Sequence, residues 1–144
     1  MARPLVVADA SVALKWFHEA GEEGVEAALS LLDAFGDRRI ELVLLDLTAY
    51  EVGNALLRGV GVHPSVATAV LDGLADVCPP TTLTAQERAI AAELCAKHGL
   101  TFYDAAYAAV AAARSGTLAT HDGVLLREGL GHRPIDVLDG INGG

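Results

Sequence analysis

The sequence predicts an α/β fold, a three-layer α/β/α sandwich with a mostly parallel central sheet. Short apolar runs of strand length alternate along the chain with longer segments whose apolar residues recur at helical spacing. Parallel strands need crossover connections, and right-handed helical crossovers place helices on both faces of the sheet. With 144 residues, 52% of them hydrophobic, the chain has the length and apolar content of one domain spanning residues 1–144.

The first half of the chain predicts two steps from strand to helix. Residues 5–8 are an apolar run rich in β-branched side chains, and Ser11 is the expected N-cap of a helix over 12–18. A helix over 22–34 follows, because its apolar residues recur at helical spacing behind an acidic first turn. The nearly continuous apolar run at 40–45 has the length of a strand, and the segment after it, 49–58, has a helical pattern.

Helices dominate the middle of the chain. Pro64 suits the first turn of a helix that is expected to end at residue 77, before a Pro-Pro pair. Thr84 and Glu87 have the spacing of a capping box for a helix through residue 96, and Gly99 is its expected C-terminal glycine.

The last third of the chain returns to alternation. A run of alanines after Asp104 predicts a slender helix to residue 113 that can approach its neighbours closely. Residues 117–120 are predicted as a strand, 124–128 as a short helix and 135–138 as the last strand.

Four carboxylates stand at comparable places in this pattern. Asp9 and Asp122 directly follow predicted strands, Asp104 starts a helix, and Glu51 lies about one turn into the helix after its strand. The carboxyl ends of parallel strands lie on one edge of a sheet, where ligands bind, so these acids are expected to converge there. Clustered carboxylates repel one another, and their assembly therefore predicts a bound cation.

The residue types indicate which cation and which chemistry. Hard oxygen ligands without Cys or paired His favour Mg²⁺, for which Mn²⁺ may substitute, over Zn²⁺. Such a site is suited to phosphodiester hydrolysis by metal-activated water. Asn54 and Arg58 share a predicted helix face with Glu51, so they are expected to face the same cleft, with Arg58 and Lys15 as candidates for substrate phosphate contacts.

Four segments carry these acids in order. They are Val-Val-Ala-Asp9-Ala-Ser11-Val-Ala-Leu-Lys-Trp-Phe, Glu51-x-x-Asn54-Ala-Leu, Phe102-Tyr103-Asp104-Ala-Ala-Tyr107 and Leu118-Ala-Thr120-His121-Asp122. In this order and spacing they resemble the successive motifs of the PIN-domain ribonucleases, in particular the VapC toxins of bacterial toxin–antitoxin pairs. The resemblance covers nearly the whole chain. It implies a PIN-like fold and a Mg²⁺-dependent endoribonuclease, commonly a homodimer, that a cognate VapB-type antitoxin holds inactive.

The same resemblance assigns roles to individual residues. The positions that match the family's catalytic, metal-binding acids are Asp9, Glu51, Asp104 and Asp122. Ser11 and Thr120 match hydroxyl positions that would orient a carboxylate or a bound water, and Asn54 is a further supporting residue. His121 stands where the family commonly has a small or apolar residue, and no catalytic role is expected for it.

Composition narrows the choice of function. The net charge of −9 excludes a general attraction to nucleic-acid backbones, so any RNA contact must be local. The aromatic content of 5% leaves few rings to stack on bases and argues against a single-strand binder based on stacking. Cys78 and Cys95 lack a metal-ligand spacing and are expected to be buried reduced thiols in a cytoplasmic protein. No segment has the pattern of a signal peptide or a membrane span.

Two other functions compete with the nuclease. A PIN-like module could keep its acids and act only by binding, as a catalytically inactive regulatory subunit. A phosphatase or receiver-like domain could use Asp9 as a nucleophile, but such folds usually place a second acid beside it or two residues on, where this chain has Ala10 and Ser11.

Overall fold

The computed structural model describes residues 2–18 and 23–143. Three strands form its sheet: β1 (Leu5–Ala8), β2 (Glu41–Val43) and β3 (Thr117–Ala119). The strand order is β2-β1-β3, and both pairings are parallel, with Val7 of β1 opposite Val43 and Leu118. The parallel sheet is therefore confirmed, and β1 is its centre.

Helices cover both faces of this sheet. Those among the described residues are α1 (Ala10–Ala13), which continues as a 3₁₀ turn (Leu14–Trp16), α2 (Val25–Gly36), α3 (Asp46–Asn54), which continues as a π-helical segment (Ala55–Val60), α4 (Pro64–Val77), α5 (Ala85–His98), α6 (Phe102–Ala113), α7 (Gly123–Arg127) and α8 (Pro134–Gly143). The start predicted at residue 22 for the second helix lies outside the described residues.

Successive side chains of the strands pack alternately into two separate hydrophobic cores. Val6 and Ala8 pack into a cluster with helices α1 to α4 and α8, whereas Val7 and Leu118 pack into a second cluster with α5, α6 and α7. Both faces of the strands are therefore apolar, as expected for a buried parallel sheet. This arrangement is the predicted three-layer α/β/α sandwich.

The alanine-rich helix α6 lies deep in the second core. Its residues from Ala105 to Ala111 are all buried, and it contacts β1, β3 and α5. Alanine side chains allow this close approach from several directions. At its C-terminal end, Arg114 makes two hydrogen bonds, of 2.8 and 3.0 Å, to Glu87 of the α5 capping box, and the Arg114 hydrogen bond lowers the pKa of Glu87 to about 2.

The predicted last strand at 135–138 is wrong. At this point His132 makes a parallel bridge with Ala119, and the chain then forms α8. Pro134 supplies no backbone N–H for a strand but is suited to a helix start, and Val137, Leu138 and Ile141 pack at helical spacing against the first core. A run of four residues was too short to distinguish the helical period of about 3.6 residues from the strand period of about 2.

Other local expectations have mixed outcomes. The capping box of Thr84 and Glu87 is present, and Gly99 ends α5 in the left-handed conformation with a φ of 67°. Cys78 and Cys95 are free thiols, as predicted, but both are only half-buried. No helix in the described part of the chain is long and apolar enough to cross a membrane.

Candidate active site

Asp9 occupies the end of the central strand. It follows β1 directly, and its N–H donates to the carbonyl of Ala119 at 3.3 Å, at the end of β3. Its own Oδ1 accepts the N–H of Val12 at 3.3 Å, so Asp9 is the N-cap of α1. The predicted N-cap, Ser11, is therefore wrong, because the helix begins two residues earlier than expected.

Two hydroxyl groups hold both oxygens of Asp9. Ser11 Oγ donates to Oδ1 at 2.5 Å, and Thr120 Oγ1 donates to Oδ2. Each hydroxyl also accepts a backbone N–H, from His121 onto Ser11 and from Asp122 onto Thr120, both at 2.9 Å. These paired contacts join the end of β1 to the end of β3 and fix the orientation of the carboxylate.

Burial opposes the charge of Asp9. Its residue is only 5% exposed, and this burial raises the pKa of Asp9 to about 6, against the opposing hydrogen bonds from Ser11, Thr120 and Val12. The negative charge of Glu51 raises the pKa further. A cation at this position would stabilise the ionised form.

A buried tyrosine positions Glu51. The Tyr107 hydroxyl donates to Glu51 Oε1 at 2.6 Å and lies 3.0 Å from Thr48 Oγ1. Since the phenol has one proton and gives it to the carboxylate, Thr48 must donate to Tyr107. The Tyr107 ring is 1% exposed, and its pKa is raised by burial and by this contact.

Tyr107 and Thr48 were not among the predicted site residues. A tyrosine within a run of alanines was the available signal, because a buried hydroxyl needs a polar partner. Its partner lies 56 residues away along the chain, on α3, and local spacing does not reveal such a contact.

The other two acids begin helices. Asp122 is the N-cap of α7, where its Oδ1 accepts the N–H groups of Val124 and Leu125 at 2.9 and 3.1 Å. Asp104 lies in the first turn of α6, and its N–H donates to the hydroxyl of the N-cap, Thr101, at 3.2 Å. Burial and the charge of Asp122 raise the pKa of Asp104, while a Thr101 hydrogen bond opposes them.

The four acids influence one another electrostatically. Burial raises the pKa of Glu51, the Tyr107 hydrogen bond opposes it, and the charges of Asp104 and Asp122 raise it further. Among the described residues, none of the four acids forms an ion pair with a basic side chain. Their negative charges are therefore not neutralised by a direct ion pair within residues 2–18 and 23–143.

This set of donors fits a hard divalent cation by its chemistry. Within residues 2–18 and 23–143, no three His, Cys, Asp or Glu side chains are gathered tightly enough to hold a metal ion by themselves. Mg²⁺ usually keeps several waters and is bound through one or two carboxylates, so an open group of acids suits it better than a closed cage would. The donors are all oxygen, which favours Mg²⁺ or Mn²⁺.

The side chains of the remaining residues singled out from the sequence make no hydrogen bond to the four acids within the described part of the chain. Asn54 and Arg58 are both exposed, and the π-helical segment that starts after Asn54 changes the register between Arg58 and Glu51. Lys15 is buried in the 3₁₀ turn, with 6% of its surface exposed. The His121 ring packs against Gly24, where a Cβ atom would lie 2.8 Å from Cε1.

Known proteins resemble this chain in family and in fold. The family model described as PIN domain matches residues 6–128. The structure is similar to that of PAE2754 from Pyrobaculum aerophilum, with a TM-score of 0.69, 26% identity and 100% of both chains covered. No curated protein matches the chain.

Two further solved structures share the fold at lower identity. One is VapC20 of Mycobacterium tuberculosis, a toxin that cleaves the sarcin–ricin loop, with a TM-score of 0.63, 20% identity, and 82% of this chain and 90% of that chain covered. The other is VapBC2 of Rickettsia felis bound to a DNA fragment from its promoter, with a TM-score of 0.63, 13% identity, and 86% and 92% covered.

Proposed function

Because this chain belongs to the PIN-domain family, we propose that it is a Mg²⁺-dependent endoribonuclease of the VapC toxin type, in which Mn²⁺ can replace Mg²⁺. The observation that supports this most is the electrostatic effect that Asp9, Glu51, Asp104 and Asp122 have on one another near the carboxyl ends of the strands. Burial and mutual repulsion raise the pKa of three of them, and no basic side chain among the described residues pairs with any of the four.

The proposed mechanism gives each residue a task. Asp9 would hold the ion with a carboxylate whose orientation Ser11 and Thr120 fix. Glu51 has Oε1 occupied by Tyr107, which leaves Oε2 to orient a water molecule. A bound Mg²⁺ would lower the pKa of water for attack on phosphorus and neutralise the leaving oxygen.

Asp104 and Asp122 would be the other carboxylates that hold the ion. Asp122 uses Oδ1 to cap α7, and Oδ2 accepts no hydrogen bond among the described residues, so it can face the ion. Residues 1–144 would form a single PIN domain, and Lys15 and Arg58 remain proposed contacts to RNA phosphate.

A cleavage assay tests the proposed function. Purified free of antitoxin, the protein should cut RNA with Mg²⁺ or Mn²⁺ and lose this activity with EDTA or in Asp9→Asn. The matched control is Asp136→Asn, since Asp136 is an exposed acid on α8 that pairs with Arg133 away from the site. Cleavage that persists in both EDTA and Asp9→Asn would refute the proposal, and metal binding without any cleavage would favour the inactive regulatory module.

The proposal includes a regulatory partner. A VapB-type antitoxin that presents a basic segment to the acids would be attracted by the net charge of −9 and could displace the metal. The toxin would act in the cytoplasm as a homodimer. We expect the protein to co-purify with a small neighbouring gene product, in a complex that weakens with salt; a chain that stays alone and active beside that product would contradict this.

A further inference from the structure

A groove of about 300 Å³ lies beside the acids. It is formed by the first turns of α3 and α6 and by the segment that leads into α5. Leu47, Leu83, Phe102 and Tyr103 give it largely apolar walls, and Arg88 lines it as well. We name it the α3–α6 groove.

Two of the few aromatic rings in this protein stand in the groove. The chain has seven aromatic residues, and those that are exposed are Tyr50, Phe102 and Tyr103. Phe102 is 48% exposed and Tyr103 is 61% exposed, so neither ring is used to fill a core. Exposed rings next to each other are suited to contact with a planar ligand.

The groove adjoins the proposed catalytic site on two elements. Tyr103 directly precedes Asp104 at the start of α6. Leu47 lies one helical turn before Glu51 on α3, so the two residues share a face of that helix. A chain bound across the acids would therefore pass the mouth of the groove.

Arg88 adds a positive charge to this otherwise acidic region. Its Nη1 donates to the carbonyl of Leu83 at 3.0 Å, which fixes the guanidinium at the groove. Within the described part of the chain, Arg88 forms no ion pair. The cation is thus available to an anionic group of a ligand.

We propose that the α3–α6 groove is the subsite for one unpaired nucleobase of the RNA next to the cleaved phosphodiester. The base stacks on Phe102 and Tyr103, and Arg88 contacts a neighbouring phosphate. This inference rests on the proposed endoribonuclease function and names the part of the protein that holds a base beside the cleaved bond.

Kinetics of variants test the subsite. Phe102→Leu/Tyr103→Leu keeps apolar bulk and removes both rings, and Tyr50→Leu is the matched control because Tyr50 is exposed outside the groove. On a short oligoribonucleotide with a mapped cleavage site, we expect the double variant to lose about tenfold or more in kcat/KM, mainly through KM. The control should cleave as the unsubstituted protein does.

A modified substrate identifies the base. Oligoribonucleotides with one abasic ribose near the cleaved bond should be poor substrates for the unsubstituted protein at a single position. In the double leucine variant that abasic substitution should cost nothing further, because ring and base form one interaction. Additive losses would overturn the stacking proposal.

A measurement without catalysis separates the subsite from the enzyme activity. In metal-free protein, the aromatic NMR signals of Phe102 and Tyr103 should shift with at least one of the four nucleoside 5′-monophosphates and not with ribose 5-phosphate. These shifts without RNA cleavage would support the subsite and refute the proposed function. If the double variant and the control cleave equally, the subsite is refuted and the proposed function stands. The same holds if the double variant loses antitoxin inhibition or self-association while its cleavage is unchanged.

Discussion

At the scale of single residues, Asp9 combines strong positioning with an unfavourable charge. Three donors hold its oxygens, yet the residue is 5% exposed and the nearby Glu51 repels it. The hydrogen bonds recover only part of the cost of burying the carboxylate. Metal-free protein therefore carries a local instability at the residue on which the proposed chemistry most depends.

Asp9→Asn should stabilise the metal-free protein near pH 7.5. Because the pKa of Asp9 rises from 3.8 to about 6 on folding, its favourable contribution is complete below pH 3.8 and is lost as the pH rises through 6. The ionised form costs roughly 3 kcal/mol at most. Asparagine avoids this cost but has a single acceptor oxygen, so one of the two hydroxyl hydrogen bonds must reverse, which offsets part of the gain. Urea unfolding in EDTA should show a gain of about 1–2 kcal/mol at pH 7.5 that shrinks at pH 4.5. A variant less stable at both values would contradict the effect of burial.

Tyr107→Phe should weaken metal binding more than it weakens the fold. The variant keeps the buried ring but leaves Glu51 and Thr48 without their common partner, so about 1 kcal/mol of stability should be lost. Glu51 would then be free to rotate, and the affinity for Mn²⁺, measured by calorimetry, should fall severalfold. Tyr50→Phe is the control, because Tyr50 is 77% exposed. Unchanged Mn²⁺ affinity in Tyr107→Phe would show that Tyr107 only fills the core.

At the scale of elements, the site depends on how closely the segment before α8 presses on β3. His132 pairs with Ala119, and a Cβ atom at Gly131 would lie 2.6 Å from Thr120 Cγ2. Thr120 is fully buried, and as a β-branched residue it cannot rotate freely away. The contact therefore connects this segment to the carboxylate of Asp9.

Gly131→Ala should disturb Asp9 without touching it. The added methyl group pushes on Thr120, and overpacking of this kind costs about 1–3 kcal/mol. Mn²⁺ affinity should fall with stability, because Thr120 can no longer donate to Asp9 in the same geometry. Gly140→Ala on α8 is the control, since nothing lies within 4 Å of its added Cβ, and it should stabilise the protein slightly. Equal Mn²⁺ affinity in both variants would disprove the coupling.

Sequence patterns predicted these elements where a signal was local. The strand at 5–8, the capping box of Thr84 and the start at Pro64 depend on neighbouring residues, and the structure confirms all three. The helical state of 135–138 depends in part on the packing of Val137 and Leu138 against the first core, and no residue spacing indicates the π-helical segment after Asn54. Local spacing does not encode that packing.

The whole molecule has a parallel sheet whose topology brings separate acids together. Asp9 and Asp122 follow strands that are neighbours in space but more than 100 residues apart in the chain, and this convergence was predictable from strand polarity. The contact between Tyr107 and Glu51 was not predictable from the sequence, because it depends on how α6 packs on α3. The whole chain has a net charge of −9. Stabilisation by a cation bound at the acids must therefore be distinguished from stabilisation by general ionic screening.

MgCl₂ should raise the Tm of the protein more than NaCl does at equal ionic strength. Both salts screen the net charge of −9 alike, but only a divalent ion can bind between converging carboxylates, and it then stabilises the folded state in proportion to the logarithm of its concentration. The excess should disappear in Asp9→Asn and persist in Asp136→Asn, which has the same net charge. It should also decrease as the pH falls below about 6, since a proton on Asp9 competes with the ion. Equal Tm shifts in the two salts would mean that the acids at this edge bind no metal ion.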